Sequence, residues 1–197
     1  MKSFIQQKTN RSVVLATVMV AMFITAIEAT IVSTAMPSIV SELGGFQSYA
    51  LVFSIFLLMQ AVTIPIYGKL SDLFGRKPVF TFGMVVFLIG SVLCGFATSM
   101  LTLVVYRLIQ GIGAGAVQPL AMTIVSDIYP LEERGRVQGY LSSVWAVSSV
   151  TGPALGGIFV QYVGWEWVFW INVPFGILTL FGLHLFFREE IAKTKPQ

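Results

Sequence analysis

Charge is what this sequence has least of. Only 11% of its 197 residues are charged and 56% are hydrophobic, where a soluble domain carries about 25% charged residues. That imbalance, with a mean hydropathy of +0.84, excludes an ordinary soluble domain. It equally excludes a disordered tail, which needs low hydrophobicity and high charge. Cysteine and histidine occur once each, as Cys94 and His184. One cysteine closes no internal disulfide. Neither residue has an evident partner for a nucleophilic or metal-ligating set, so the reading is not an enzyme, with no metal and no cofactor expected. Cys94 reads as a small apolar packer and His184 as an interfacial residue. The pI of about 9.1 raises a nucleic-acid partner, but the basic residues mark the ends of hydrophobic runs. The partner they indicate is a lipid bilayer, not nucleic acid.

A bilayer core of roughly 30 Å needs about 20 apolar residues of helix. Six segments qualify: Val13–Pro37, Tyr49–Leu70, Val79–Thr98, Leu101–Asp127, Val137–Val163 and Trp167–Phe187. None alternates as a barrel strand would, so the expected class is an all-α membrane protein. Residues 1–12 and 188–197 are expected to be polar flanks of a bundle over 13–187. The first span follows Lys2, Lys8 and Arg11 like a signal peptide, but it exceeds an apolar core of 7–15 residues and no A-x-A site follows.

Eleven of the twelve basic residues fall in four places: the N-terminus, the connection Lys69–Lys77, the connection with Arg134 and Arg136, and the tail with Arg188, Lys193 and Lys195. The positive-inside rule puts both termini and those two connections in the cytoplasm, in a cell or inner membrane. Trp165, Trp167 and Trp170 cluster at the opposite interface, as amphipathic rings prefer.

Gly68, Gly75, Val79 and Phe80 recur 89 positions later as Gly157, Gly164, Val168 and Phe169. Both stretches join the second and third span of a three-helix group. Three is odd, so the second group runs with inverted topology, and inverted three-plus-three repeats are an architecture of secondary transporters.

Two charges lie well inside the spans. A charge at the bilayer centre costs roughly 2.5–3.5 kcal/mol on insertion scales and ordinarily faces a cavity or a partner. Glu28 lies 15 residues into span 1, about 22 Å from the inner face at a rise of about 1.5 Å. Arg107 lies 6 residues into span 4 from the other face, about 9 Å deep by the same rise. In a core of roughly 30 Å those depths nearly coincide, so both are expected to face one polar cavity. The plainer alternative is that Arg107 snorkels outward and Glu28 satisfies Thr25 or Ser33. A carboxyl in a low-dielectric cavity suits a proton carrier or a cation site, and separating it from Arg107 would release or capture a proton.

Spans 4 and 5 are dense in helix breakers. Gly111, Gly113, Gly115 and Pro119 fall in one; Gly152, Pro153, Gly156 and Gly157 fall in the other. Gly152 and Gly156 form a small-xxx-small pair, and Pro153 removes a backbone donor. Plain packing and a rocking hinge both account for them. In the connection Gly68–Lys77, Asp72, Arg76 and Lys77 surround Gly75 at a left-handed position. Either this loop only orients the chain, or Asp127 on the same side pairs with Arg76 as a latch. Glu132, Glu133, Arg134 and Arg136 read as a solvated cluster.

These motifs resemble the major facilitator superfamily. Gly68-Lys-Leu-Ser-Asp72-Leu-Phe-Gly75-Arg76-Lys77 resembles its signature loop between helices 2 and 3, and Arg107-Leu-Ile-Gln-Gly111-Ile-Gly113-Ala-Gly115 its helix 4 motif. Gly152-Pro153-Ala-Leu-Gly156-Gly157 resembles the helix 5 motif of drug:proton antiporters, with Ser148 in place of a leading glycine. The stretch from Glu28 to Pro37 is similar to helix 1 of the 14-helix drug:H⁺ antiporters of the EmrB/QacA type, where the acid is commonly Asp. The stretch from Trp165 to Gly176 is similar to the helix 6 entry of that subfamily, with Glu166 in place of a frequent Arg.

The resemblance implies that Asp72, Arg76 and Asp127 form a cytoplasmic charge relay, with Gly68, Gly75 and Lys77 in the same gate. It implies that Arg107 assists proton coupling, that Glu28 recognises a proton or lipophilic cation, and that the helix 5 motif permits a bend and close packing between halves. Substrates would be hydrophobic or cationic small molecules, and the proton gradient would supply the energy. Such transporters have 12 or 14 helices, so these six are expected to be the N-terminal half of the fold. Its partner would be a C-terminal half or a second copy. The competing reading is a non-transporting membrane subunit or a truncated remnant.

Overall fold

The structure is a computed structural model and describes residues 10–187. Lys2, Lys8, Arg188, Lys193, Lys195, the flank 1–9 and the whole tail 188–197 lie outside the described residues. Within them the chain forms helices α1 (Arg11–Leu43), α2 (Tyr49–Phe74), α3 (Arg76–Gly95), α4 (Met100–Ile128), α5 (Leu131–Tyr162), α6 (Trp167–Trp170) and α7 (Asn172–Phe186), with a 3₁₀ turn at Phe46–Ser48. The helices make six candidate membrane spans, α6 and α7 together forming the sixth.

Each boundary has a local cause. Asn10 caps α1 by accepting from the Val13 amide at 3.4 Å. Pro37 was expected to close the first span, but α1 continues to Leu43. A proline removes one backbone donor and bends a helix without ending it where the next turns are well packed. Val32, Ala35, Met36 and Ile39 are all buried there. Ser99 and Thr102 form a reciprocal capping box at the start of α4. Gly75 ends α2 at φ +97°, ψ 156°, a conformation open to glycine and strained for other residues.

The four charges after span 4 are not a loop. Glu132 and Glu133 occupy the first turn of α5, where acids complement the helix dipole. Arg134 turns back to donate to the carbonyls of Ser126 at 2.6 Å and Tyr129 at 3.1 Å. These carbonyls at the end of α4 lack an intrahelical donor or share one, and the guanidinium satisfies them.

The packing follows the internal repeat. The first helix of each three-helix group lies against the second and third of the other: α1 on α5 and α7, α4 on α2 and α3. That exchange is what an inverted three-plus-three repeat requires. It puts α1 and α4 at the centre and leaves α2 and α5 at the margin. Over their most apolar windows α1 and α4 are each 56% buried, against 17% for the α2 segment and 22% for α5.

Two crossings show how close the central contacts are. A β-carbon on Gly152 would overlap the Thr30 hydroxyl, and one on Gly115 would overlap the Thr63 hydroxyl. Each hydroxyl instead reaches a carbonyl across the crossing: Thr30 to Ser148 at 3.3 Å, Thr63 to Ile112 at 3.4 Å. Small residues let helix backbones approach in this way where lipid removes the hydrophobic drive to associate.

Candidate functional site

Glu28 and Arg107, 79 residues apart, are in direct contact: Arg107 Nη1 donates to Glu28 Oε1 at 2.5 Å. Both side chains are buried, at 0% and 1% exposure. Arg107 therefore does not snorkel. Thr25 and Ser33 bond instead to carbonyls of their own helix, one turn back. The pair also does not open onto a cavity as expected from the sequence. The Phe56 ring lies 4.1 Å from the guanidinium carbon and the Phe169 ring 5.9 Å, and these two aromatics close the site. A guanidinium against a ring face is electrostatically favourable, so the cover is part of the site.

Around the pair runs a closed ring of hydrogen bonds. Arg107 Nη1 also donates to Gln110 Oε1 at 2.8 Å. Gln110 Nε2 donates to Ser91 Oγ at 2.7 Å. Asn172 Nδ2 donates to the same Ser91 Oγ at 3.1 Å and to Glu28 Oε2 at 2.6 Å, which completes the circuit. Arg107 Nε reaches the Val52 carbonyl at 3.3 Å, and the Cys94 thiol faces Gln110 Oε1 at 3.7 Å. Helices α1, α3, α4 and α7 each supply a member. Arg107 and Gln110 share a face of α4 because they are three residues apart. Asn172 enters where α6 gives way to α7. The ring closes because α3 and α4 nearly touch: β-carbons on Gly90 and Gly113 would run into the backbone of Gln110 and Phe87.

Gln110 and Asn172 lie within the helix 4 and helix 6 motifs, and Ser91 lies in neither; none of the three stands out in the sequence as a site residue. The available signal was an amide in an otherwise apolar span, at a spacing of three from Arg107 in one case. Polar residues within spans ordinarily face the bundle interior.

A second cluster lies at the end of the bundle with the α2–α3 connection. Arg76 Nη2 is 3.6 Å from Asp72 Oδ1, and Arg76 Nε is 3.2 Å from Asp127 Oδ2. These side chains are 30%, 71% and 46% exposed in the order Arg76, Asp72, Asp127. Lys77 does not join them. Its ammonium donates to the carbonyls of His184 at 3.0 Å and Phe187 at 2.8 Å, where a cation complements the end of α7. Gly75 supplies the positive φ of the turn. Gly68 has open space where a β-carbon would go, so no packing requires glycine there.

The helix 5 motif divides by face. Gly152 and Gly156 are buried against Thr30, Ile31 and Thr34 of α1. Pro153 is exposed, and Gly157 is half-buried with open space beside it. The tryptophans divide too. Trp167 is exposed, as an interfacial anchor would be, but Trp165 is buried and donates to Glu42 at 2.9 Å. It ties the α5–α6 connection to the end of α1.

The comparisons with known proteins agree with this architecture. Human organic anion transporter MFSD10 (TETRAN) superposes with a TM-score of 0.76 at 19% identity, over 92% of this chain and 49% of that one. A bacterial homologue of the human lysosomal transporter Spinster superposes with a TM-score of 0.79 at 23% identity, over 91% of this chain and 44% of that one. Multidrug resistance protein 3 of Bacillus subtilis is 44% identical over 192 residues, 98% of this chain and 37% of the relative. Multidrug transporter protein MdtP of the same organism is 38% identical over 174 residues, 88% of this chain and 32% of the relative. The chain thus spans about a third of these curated relatives and just under half of the solved chains. The sequence pattern of the Major Facilitator Superfamily matches residues 18–197. With six membrane-length helices in a three-plus-three exchange and that match over most of its length, the chain is a multi-pass membrane protein of the Major Facilitator Superfamily.

Proposed function

We propose that the chain is the N-terminal half of a proton-coupled multidrug efflux transporter that exchanges hydrophobic or cationic compounds for protons. The observation that carries this reading is the Glu28–Arg107 pair, the one acid–base contact sealed inside the apolar part of the bundle among the described residues. A carboxylate there has its counter-charge in the guanidinium beside it. When a helix movement or a bound cation draws the two apart, the carboxylate loses its counter-charge and takes a proton; when they rejoin, it gives the proton up. The names of the two Bacillus relatives support drugs as substrates.

The remaining residues take roles around that exchange. Asp72, Arg76 and Asp127, with Gly68, Gly75 and Lys77, form the cytoplasmic gate, and both termini are cytoplasmic by the distribution of basic residues. Residues 1–12 and 188–197 flank the bundle, although Arg11 and Ser12 already belong to α1. The bare faces of α2 and α5, with Leu57, Leu58, Val62, Trp145, Val147 and Val150 exposed, favour a C-terminal half or a second copy as partner. They also favour the second reading, a membrane subunit that does not transport by itself.

Efflux of a fluorescent lipophilic cation from cells tests the proposal. The chain is expressed alone and with a C-terminal half, in wild-type and Glu28→Gln forms. Efflux that requires a proton gradient and Glu28 is expected in at least one arrangement. Efflux that survives both the collapse of the gradient and Glu28→Gln overturns proton coupling. Its absence in every arrangement, with insertion confirmed, assigns the chain to the non-transporting class.

A further inference from the structure

The buried ring is complete for an ionised Glu28 and incomplete for a protonated one. Both carboxylate oxygens accept: Oε1 from Arg107 and Oε2 from Asn172 Nδ2. A protonated carboxyl must donate from one oxygen, yet both of its present partners are themselves donors. Two atoms next to it have capacity to spare. Asn172 Oδ1 is buried with no hydrogen-bond partner. Ser91 Oγ accepts from two amides, and its own hydroxyl proton is used in none of those bonds.

We propose that Asn172 is a positioning residue for the buried carboxyl, and that its amide turns over when Glu28 takes up a proton. The two ends of a side-chain amide are nearly equal in size, so the turn needs no repacking. It puts Oδ1 where Nδ2 stood. The proton, taken from water, sits on Glu28 Oε2 and is donated to Asn172 Oδ1. The Ser91 hydroxyl turns and donates to the second lone pair of Oδ1. Arg107 releases Oε1 as the pair separates, and the neutral acid keeps the one bond that it donates, to Asn172. Before the turn one buried amide end lacks a partner, and after it the other end does. Neither state is therefore penalised much more than the other, which makes the amide bistable. A fixed amide would instead leave the acid proton facing a donor.

The charged and titratable groups around Glu28 are the Arg107 guanidinium from α4 and the Cys94 thiol from α3. Helices α2, α5, α6 and α7 bring Phe56, Ser148, Phe169 and Asn172 to this level, none of which titrates. Glu28 is thus the one carboxyl of this ring, and subtracting the Glu28→Gln spectrum removes the other eight acidic residues of the chain.

This inference rests on the reading of Glu28 as a proton carrier, and the experiment separates the two. The chain has two asparagines, Asn10 and Asn172. An Asn10→Ser form with ¹³C at the asparagine side-chain carbonyl therefore gives a single labelled amide band. The 197-residue chain in phosphatidylcholine vesicles is followed by infrared difference spectroscopy across a pH titration. A carboxyl band that titrates and vanishes in Glu28→Gln reports Glu28. The expected result is that the labelled Asn172 band shifts with the same midpoint and stays still in Glu28→Gln. In Asn172→Leu the acid band moves to higher frequency because its acceptor is lost, and in Ser91→Ala it moves less. A Glu28 band that titrates while the Asn172 band does not move overturns the turning amide and leaves proton carriage standing. The lack of any Glu28-dependent band overturns proton carriage and this inference with it. The labelled measurement alters neither Ser91 nor Asn172, so it holds even where Asn172→Leu or Ser91→Ala fails to insert.

Discussion

The bundle holds two arginine–carboxylate clusters made of the same groups in opposite surroundings. Arg107 meets Glu28 with both side chains sealed from solvent, and the side-chain oxygen and nitrogen atoms of Glu28, Ser91, Gln110 and Asn172 join one ring apart from Asn172 Oδ1. Arg76 meets Asp72 and Asp127 at 3.6 and 3.2 Å with all three partly exposed. In water-like surroundings an ion pair contributes about 0–1 kcal/mol and is screened by salt. In a low dielectric the same pair holds two charges whose desolvation is repaid only by each other, so losing one partner strands the other. The buried cluster is suited to holding one state firmly until a proton or cation alters it. The exposed cluster can be made and broken at little cost, which is what the proposed gate requires.

The largest effect that would break this comparison is expected at Arg107. Arg107→Met leaves the Glu28 carboxylate without its counter-charge, and a loss of about 3–5 kcal/mol is expected. Denaturant unfolding in mixed micelles measures it. Combining Arg107→Met with Glu28→Leu is expected to recover much of that loss, since apolar residues often replace a buried pair at little cost. A double variant as unstable as the single would mean that the ring, not the charge, is what the site requires.

Helix contacts sharpen the contrast at the next level. Gly113→Ala drives a methyl group into the Phe87 backbone, and overpacking of this kind costs about 1–3 kcal/mol. Gly68→Ala meets open space and should stay within about 0.5 kcal/mol. Equal losses by the same unfolding measurement would show that the α3–α4 contact is looser than its geometry.

The lone thiol gives a reading that needs no unfolding. Cys94 is fully buried beside Gln110, so a membrane-permeant maleimide should label it slowly in the intact chain and faster in Arg107→Met. An Asp72→Cys form, in a Cys94→Ala background, should label at once. The smallest effect is expected at the exposed cluster. Arg76→Gln should cost at most about 1 kcal/mol, and about 1 M salt should erase that difference while leaving that of Arg107→Met in place. A salt-insensitive loss at Arg76 would place the two clusters in one class.

Much of the fold was legible because its cause is local. Six apolar runs of the length of a bilayer core form helices wherever backbone groups have no water to bond, and the run from Leu101 to Asp127 became α4 with one residue added at each end. The boundaries that moved furthest are those where a charged or proline-bearing turn carries a helix past the apolar core, as at Pro37 and at Glu132–Arg136. The depths of Glu28 and Arg107 could be compared by counting residues, because rise per residue is constant. The facing of an uncharged residue could not. Ser91 and Gln110 sit in helices that are apolar nearly all round, so no periodicity says which side turns inward.

By itself the sequence determined the number of spans, the uneven placement of basic residues and the level of the two buried charges, all of which depend on composition and length along one dimension. Only the tertiary structure decided that the two charges touch, that Phe56 and Phe169 seal them, and that Ser91, Gln110 and Asn172 close a ring. Those partners lie as far as 144 residues apart. They meet because glycines at 90 and 113 let backbones approach, and because a buried charge in lipid has no water to satisfy it and must find its partners within the protein.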